Sequence, residues 1–349
     1  MSDFHSLKVS NVQPLTASSV AITFAIPDEL KDTFTFSAGQ YITISKEING
    51  VEVRRAYSIS SIPASGKITV GVKKITDGTF SVYANDKIKV GDVLEVMPPE
   101  GRFIFQPNNA AKHVAGFVAG SGITPIMSIA ETVLKSHLNS TFVLVYGNQN
   151  ADEVMFSKEI EALQKQYENR FFVQHVFSRV NIEGALFGRI EGATVNYIVK
   201  NKFKETSFDA FYLCGPEEMI DLVSETLQAT NIAKDKIHFE LFTASETVDT
   251  MAESLDGATK VEVVVDDETF SFSMDKKMLV LDAVLKENID APYSCQGGVC
   301  SSCIARVTEG KAEMVKNQIL TDGEIAEGLI LTCQAHPLTA TLKVDFDDV

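Results

Sequence analysis

Four cysteines near the C-terminus carry the clearest chemical signal in this chain. They are Cys295, Cys300, Cys303 and Cys333, spaced C-x4-C-x2-C-x29-C. Three thiolates from one short loop and a fourth from a distant segment can hold a [2Fe–2S] cluster. Gly297 and Gly298 allow the loop a positive φ and a close approach to the metal. A structural zinc site is the alternative, but zinc sites usually combine two short cysteine pairs. The spacing therefore predicts one-electron chemistry.

The elements around these cysteines predict a small β-rich domain. Lys260 to Val265 alternates as a strand, Asp266 to Glu268 turns, Thr269 to Met274 returns, and a helix covers Leu279 to Lys286. Residues 259–349 resemble a plant-type ferredoxin domain. The resemblance implies a β-grasp fold in which the four cysteines bind the cluster.

Length and composition limit the possible functions. The 349 residues exceed one average domain and leave room for two more domains before the cysteine-rich part. No run of eighteen apolar residues occurs, and the first residues lack the pattern of a signal peptide. Five cysteines, four of them assigned to a cluster, favour a reducing compartment. We therefore expect a cytoplasmic protein without membrane insertion.

The net charge of −16 argues against nucleic acid as a partner, because phosphate neutralisation needs basic patches. From Lys260 onward the chain has 16 acidic and 8 basic residues, so about a quarter of the chain carries half of this charge. An acidic domain could steer toward a basic face of a redox partner. Ordinary solubility explains the same charge equally well.

A glycine loop in the middle of the chain could bind a pyrophosphate. Its sequence is Gly120-Ser121-Gly122-Ile123-Thr124-Pro125. The apolar run His113 to Ala119 precedes it as a strand, and Ile126 to Leu134 follows as a helix. We expect Thr124 to cap this helix and Pro125 to occupy its first position, which leaves backbone N–H groups free for an anion. A glycine turn that binds nothing is the alternative.

Strands and helices alternate through the rest of this region, which predicts a doubly wound parallel sheet. The predicted strands are Phe142 to Tyr146, Phe171 to Phe177 and Ala210 to Leu213. The predicted helices are Phe156 to Gln166 and one that follows Met219 and ends at about Ala229. The motif Cys214-Gly215-Pro216 follows the last of these strands. A buried apolar cysteine is the alternative for Cys214.

The glycine loop and the later Cys-Gly-Pro motif, in this order, resemble the ferredoxin-NADP reductase superfamily. The resemblance implies a Rossmann-like NAD(P)-binding domain. It places Gly120, Ser121, Gly122, Thr124 and Pro125 at the pyrophosphate, and Cys214, Gly215 and Pro216 beside the nicotinamide, with Cys214 as a catalytic residue. Ser178 and Arg179 follow the strand Phe171 to Phe177, where the family commonly recognises the adenosine 2′ position. A hydroxyl and a cation there favour NADPH, with NADH as the alternative; Arg179 could also be an ordinary surface charge.

The N-terminal third resembles the flavin-binding antiparallel β-barrel of the same superfamily. Arg55-Ala56-Tyr57-Ser58 matches its R-x-Y-S motif, and Gln40 to Ser45, Tyr57 to Ser60, Ile68 to Lys73 and Val93 to Met97 are predicted strands. The resemblance implies that Arg55 neutralises a flavin phosphate, Tyr57 packs on the ring system, and Ser58 bonds near N5 as a catalytic residue. FAD is expected rather than FMN.

Two further segments complete the predicted flavin site. Gly71 and Lys73, followed by Gly78, Thr79 and Ser81, resemble the second flavin segment of the family, with a plain β-hairpin turn as the alternative. Phe242 stands where relatives often place an aromatic residue against the flavin.

The complete order resembles the reductases of bacterial multicomponent oxygenases, such as those of phenylacetyl-CoA epoxidases. We predict an FAD domain over residues 1–108, an NAD(P) domain over 109–242, a linker over 243–258 and a [2Fe–2S] domain over 259–349. The resemblance implies an oxidoreductase that takes hydride from NAD(P)H and passes single electrons to a separate oxygenase. A reductase for another acceptor, such as a hybrid-cluster protein or a desaturase, or a redox-sensing module, are the alternatives.

Overall fold

The structure is a computed structural model that describes residues 4–108, 110–242 and 249–349. Its contacts divide the chain into two compact units. One unit contains His5–Val53 and Tyr57–Phe242. The other contains the described residues from 249 onward, together with Phe4 and Arg54–Ala56.

The N-terminal part forms a six-stranded antiparallel sheet in the order β4-β3-β6-β1-β2-β5. The strands are β1 His5–Thr16, β2 Ser19–Ala25, β3 Tyr41–Ile48, β4 Val51–Ser58, β5 Ile68–Lys73 and β6 Val93–Val96. An antiparallel bridge between Ile59 and Val70 connects the two edges, so the sheet closes into the predicted barrel. Side chains such as Ile22, Phe24 and Ile42 fill its interior.

Helix α1, Thr79–Asp86, follows β5. The hairpin turn considered for this segment is therefore wrong. Phe80 and Ala84 lie four residues apart and are both buried, so one face of the helix packs onto the barrel core.

The middle of the chain forms a six-stranded parallel sheet in the order β10-β9-β8-β7-β11-β12. Its strands are β7 His113–Ala119, β8 Thr141–Asn148, β9 Phe171–Phe177, β10 Leu186–Phe187, β11 Ala210–Cys214 and β12 Ile237–Glu240. Its helices are α2 Ile123–Ser136, α3 Ser157–Gln166, α4 Gly192–Asn196, continued by a π-helical segment Tyr197–Lys202, and α5 Glu217–Gln228. The strand order reverses at β7, so the carboxyl ends of β7 and β11 flank the crevice where open α/β sheets bind ligands.

The C-terminal part forms a mixed five-stranded sheet in the order β14-β13-β19-β15-β17, with a separate pair β16-β18. Its elements are α6 Met251–Ser254, β13 Ala258–Val265, β14 Glu268–Asp275, α7 Val280–Lys286, β15 Ile304–Glu309, β16 Ala312–Met314, α8 Asp322–Ala326, β17 Leu329–Leu331, β18 Ala335–Pro337 and β19 Thr341–Asp345. Helix α7 packs through Val280, Leu281 and Val284 into the sheet core, as in the predicted β-grasp fold. The three predicted sheet architectures are confirmed.

Part of the predicted linker contacts the C-terminal sheet. Residues 243–248 lie outside the described residues, but Asp249 accepts a 2.8 Å hydrogen bond from the buried His336 Nε2. The Asp249 carboxylate also accepts a hydrogen bond from Ala252 N, at the start of α6. The beginning of the described C-terminal segment is thus attached to β18.

In the parts of the chain that the structure describes, no helix combines the length and the apolar character needed to cross a membrane.

Candidate functional site

Ser58 lies at the end of β4 and is almost fully buried. Its hydroxyl donates a 3.0 Å hydrogen bond to Glu240 Oε2, on the last residue of β12. In the sheet, Glu240 pairs in register with Cys214, the last residue of β11. The structure therefore places Ser58 and Cys214, the two predicted catalytic residues, on either side of one carboxyl group.

Glu240 is a candidate functional residue that the sequence interpretation missed. Burial raises the pKa of its carboxyl from 4.5 to about 8, against the opposing effect of the Ser58 hydrogen bond. Burial and the neighbouring Glu240 also raise the pKa of the Cys214 thiol. Both groups thus hold their protons at neutral pH. An acidic residue at the carboxyl end of a parallel strand was the available signal, because ligands bind at that edge.

The glycine loop and the Cys-Gly-Pro motif are packed directly against each other. A Cβ atom on Gly122 would overlap the Cys214 carbonyl, and a Cβ on Gly215 would lie 3.3 Å from Ala119 Cβ. Gly120 adopts φ 55°, and its carbonyl accepts a 3.0 Å hydrogen bond from the Tyr146 hydroxyl. Glycine is needed here for backbone contact as well as for the left-handed turn.

The start of α2 differs from the prediction. Residues Gly120–Gly122 form a 3-10 turn, Gly122 is the N-cap, and the helix begins at Ile123. The predicted cap at Thr124 is wrong, because the Thr124 hydroxyl donates instead to the Ser121 carbonyl at 3.0 Å. Pro125 is consequently the third residue of the helix rather than the first. Gly122 has no side chain to cap the helix, but Ile123 N already donates to the Gly120 and Ser121 carbonyls and Pro125 has no N–H. Of the first three residues of α2, only Thr124 can therefore offer a backbone N–H to an anion.

The R-x-Y-S residues have different surroundings. The Tyr57 ring packs at 5.5 Å from the buried Phe80 ring of α1. Arg55 is exposed, and its Nη1 donates to the Arg54 carbonyl at 2.7 Å. An exposed guanidinium and a well-packed aromatic ring are each compatible with the predicted flavin contacts.

The second predicted flavin segment contacts the glycine loop. A Cβ atom on Gly71 would lie 2.7 Å from Thr124 Cγ2, so β5 and the start of α2 are in close contact. Lys73 forms a 2.9 Å ion pair with Glu153, so its side chain is bound within the protein.

The start of α1 is set by its own residues. Gly78 is its N-cap and Thr79 its first residue. The Ser81 hydroxyl accepts a 3.1 Å hydrogen bond from Ile75 N. It therefore stabilises the turn that leads into α1.

The predicted adenosine site lies beyond the carboxyl end of β9. Ser178 N donates to Asn148 O at 3.0 Å and Arg179 N donates to Gln149 O at 2.9 Å, which fixes both residues beside the end of β8. The Arg179 side chain is exposed. Phe242 is 38% exposed, just after β12. Their proposed contacts with nucleotide and flavin stay predictions.

The four cysteines of the C-terminal domain form two pairs. The thiols of Cys295 and Cys300 hydrogen-bond to each other, and so do those of Cys303 and Cys333. The Cys300 bond holds the pKa of Cys295 below its usual range, while the partner thiols and burial raise the pKa of Cys300 and Cys303. Within the described ranges no three His, Cys, Asp or Glu side chains converge to hold a single metal ion. Two pairs of thiols suit a cluster in which each of two irons takes two thiolates.

Backbone geometry around this loop corrects one detail of the prediction. The left-handed residues are Gln296, with φ 54°, and Gly298, with φ 71°, whereas Gly297 is not left-handed. Gly297 N donates to Cys295 Sγ at 3.3 Å. A Cβ on Gly298 would lie 2.9 Å from Gln334 Cγ, next to the fourth cysteine. Three buried thiols and one half-buried thiol, an amide donor and a thin loop wall all fit a [2Fe–2S] cluster.

Three domain families match the chain. They are an oxidoreductase FAD-binding domain over residues 6–105, an oxidoreductase NAD-binding domain over 117–225, and a 2Fe-2S iron-sulfur cluster binding domain over 263–338. The predicted cofactors FAD and [2Fe–2S] are confirmed by these matches, as is NAD(P)H as a substrate.

Two curated relatives match over nearly the full chain. The 1,2-phenylacetyl-CoA epoxidase of Escherichia coli (strain K12) contains a component that is 37% identical to this chain over 99% of both sequences. The ferredoxin reductase component of the 3-ketosteroid-9-alpha-monooxygenase of Rhodococcus rhodochrous is 35% identical over 97% of this chain and 96% of that protein. The crystal structure of phthalate dioxygenase reductase is similar in fold, with a TM-score of 0.63, 23% identity and 98% of each chain covered.

Proposed function

Because the chain belongs to the ferredoxin-NADP reductase superfamily, in the branch with a C-terminal [2Fe–2S] domain, we propose that it delivers single electrons to an oxygenase of the phenylacetyl-CoA epoxidase type. The main support for this proposal is the group of three side chains Ser58, Cys214 and Glu240 at the sheet crevice. They place proton-bearing groups at the edge of the sheet where hydride transfer is expected. The choice of acceptor follows the 37% identity to the Escherichia coli protein.

FAD converts the electron pair of a hydride into single electrons, and the [2Fe–2S] cluster carries them one at a time. The residues of this chain bind and orient the partners. The glycine turn Gly120–Gly122 and the Thr124 N–H at the start of α2 would hold the pyrophosphate of the nucleotide. Tyr57 would cover the flavin ring and Arg55 would neutralise a flavin phosphate.

Ser58 and Glu240 would control a proton next to the reacting atoms. Glu240 has a pKa of about 8 and is largely protonated at neutral pH, so the site stays uncharged when hydride arrives. The protonated Cys214 thiol adds a small, apolar wall beside the nicotinamide.

Ser178 and Arg179 support NADPH as the preferred nucleotide. A 2′-phosphate carries a charge that an exposed guanidinium binds strongly, whereas an acidic residue there would favour the free ribose.

Reducing conditions keep the four paired thiols available for iron, which supports the cytoplasm as the compartment. We retain the proposed domain boundaries after residues 108, 242 and 258.

The test uses the purified, oxygen-free protein in two stages. Titration with NADPH, followed by visible spectroscopy, should bleach both the flavin and the iron–sulfur bands; bleaching of the flavin alone would contradict the electron path. Next, the reduced protein is mixed with the oxygenase component of a phenylacetyl-CoA epoxidase or, as a control, with that of a 3-ketosteroid monooxygenase. We expect a higher kcat/KM with the epoxidase. An equal kcat/KM with both oxygenases, or a higher one with the 3-ketosteroid monooxygenase, would contradict the proposed acceptor. It would not contradict the conclusion that the protein is an NAD(P)H-dependent reductase.

A further inference from the structure

Ser294 stands directly before Cys295, and its side chain is only 1% exposed. Its hydroxyl has no hydrogen-bond partner among the described residues. A buried hydroxyl without a partner costs about 1–3 kcal/mol, and folded proteins satisfy nearly all such groups. The Ser294 hydroxyl is therefore free to donate to a group that is not a protein side chain or backbone group, and its position next to Cys295 decides which group that is.

The other hydroxyl groups that flank the cysteines are already bonded. Thr332, directly before Cys333, donates to the Cys303 carbonyl at 2.9 Å. Ser301 and Ser302 also take part in interactions within the protein. Among the described residues next to these cysteines, Ser294 is the one whose buried hydroxyl has no partner.

We propose that Ser294 donates its hydroxyl hydrogen to a sulfur atom of the [2Fe–2S] cluster and thereby favours the reduced cluster. This inference rests on the proposed ligand set of four cysteines. One electron enters the cluster, no covalent bond forms or breaks, and the hydrogen stays on the Ser294 oxygen. Because the sulfur atoms become more negative on reduction, a donor bond to sulfur is stronger in the reduced state.

The surroundings of the loop agree with this role. The amide of Gly297 already donates to Cys295 Sγ at 3.3 Å, and Gln334 Nε2 lies 3.8 Å from Cys333 Sγ. Ser294 adds a hydroxyl donor, which is buried and therefore undisturbed by water. Ser294 is thus a positioning residue, because its hydrogen bond would stabilise the negative charge on the reduced cluster. That stabilisation would favour electron transfer from the flavin to the cluster.

The test compares the full-length holoprotein with S294A by a redox titration followed by EPR of the reduced cluster. We expect the equilibrium constant for cluster reduction to fall about three- to tenfold, where a tenfold change equals 59 mV for one electron. The matched control is S128A, because the Ser128 hydroxyl is also buried without a partner among the described residues but lies in α2 of the other unit. S128A should leave the potential unchanged.

A second readout does not depend on the potential. Pulsed EPR in H2O and in D2O detects exchangeable protons coupled to the reduced cluster, and S294A should lack one coupling that the wild type shows. EPR detects only the molecules that contain a cluster, so incomplete incorporation does not change the result. If S294A incorporates little cluster, S294G removes the same hydroxyl and replaces that variant. An unchanged potential together with an unchanged set of couplings would overturn the inference. Loss of the cluster in C300S, measured separately, tests the ligand set itself.

Discussion

The Ser58 hydroxyl donates to the Glu240 carboxyl at 3.0 Å, across 182 positions of sequence. Ser58 ends a strand of the antiparallel barrel, and Glu240 ends the edge strand β12 of the parallel sheet. The candidate hydride site therefore requires both sheets of this unit to be folded together.

Substitution of Ser58 by Ala should lower NADPH-to-ferricyanide turnover about 10- to 100-fold, because the site loses a positioned hydroxyl donor. Steady-state assays would measure it. The control is S60A, which removes a nearby buried hydroxyl that donates to the Thr69 carbonyl. Equal losses in the two variants would indicate a general effect on the barrel instead.

Glu240 should make stability depend on pH. Its pKa is about 8 in the folded protein and 4.5 in an unfolded chain, so the folded state binds more protons between these values. The free energy of unfolding should then fall as pH rises from about 5 to 8. Glu240→Gln removes this dependence, so the difference between the Tm of the variant and that of the wild type should increase as the pH rises across that range. Each 1 kcal/mol of unfolding free energy corresponds to about 2–4 °C in Tm. Calorimetry at several pH values would measure it; parallel Tm curves would contradict the assigned pKa.

Cys300→Ser should abolish transfer to a cluster-dependent acceptor while sparing the NADPH-to-ferricyanide reaction, because the flavin precedes the cluster in the electron path. Iron content and EPR would verify loss of the cluster. The reciprocal variant, Cys214→Ser, should keep the cluster and slow the ferricyanide reaction. Equal loss of both activities in Cys300→Ser would contradict the order of the two carriers.

Arg179→Gln should raise the KM for NADPH about 10- to 100-fold and change the KM for NADH little, since a charge-assisted hydrogen bond contributes about 1.5–3 kcal/mol. Initial rates with both nucleotides would show the difference. Lys165→Gln, at the exposed end of α3, removes the same charge without contact to the proposed site. A comparable increase for NADPH in that control would indicate a general charge effect.

Sequence periodicity predicted the parallel sheet well, because its central strands are buried on both faces and appear as continuous apolar runs. The predictions for His113 to Ala119 and Phe171 to Phe177 agree with β7 and β9 at both ends. In the antiparallel barrel, the prediction for Ile68 to Lys73 likewise agrees with β5. Short helices were harder: α1 has eight residues and only a modest apolar face, so its start resembled a turn.

The candidate site was predicted where a motif fixes a backbone path and missed where tertiary contact creates the chemistry. Cys214 and Gly122 could be identified from their glycine and proline neighbours. Glu240 gains its role only through register with Cys214 and contact with Ser58, which no local pattern encodes. The prediction of Thr124 as the N-cap was wrong because Gly120–Gly122 form a 3-10 turn and the helix therefore begins before Thr124. The close packing of Gly122 against Cys214 holds this turn in place.

The contact between Gly298 and Gln334 bears on how the fourth thiol is held near the first three. Gln334 Nε2 also donates to the Gln296 carbonyl at 3.4 Å, so a side chain next to Cys333 is attached to the loop that carries Cys295. Closing the long chain segment between Cys303 and Cys333 costs conformational entropy, and these protein contacts offset part of that cost. Gln334 therefore acts as a clasp between the two ligand-bearing segments, in addition to any bonds that the cluster itself makes.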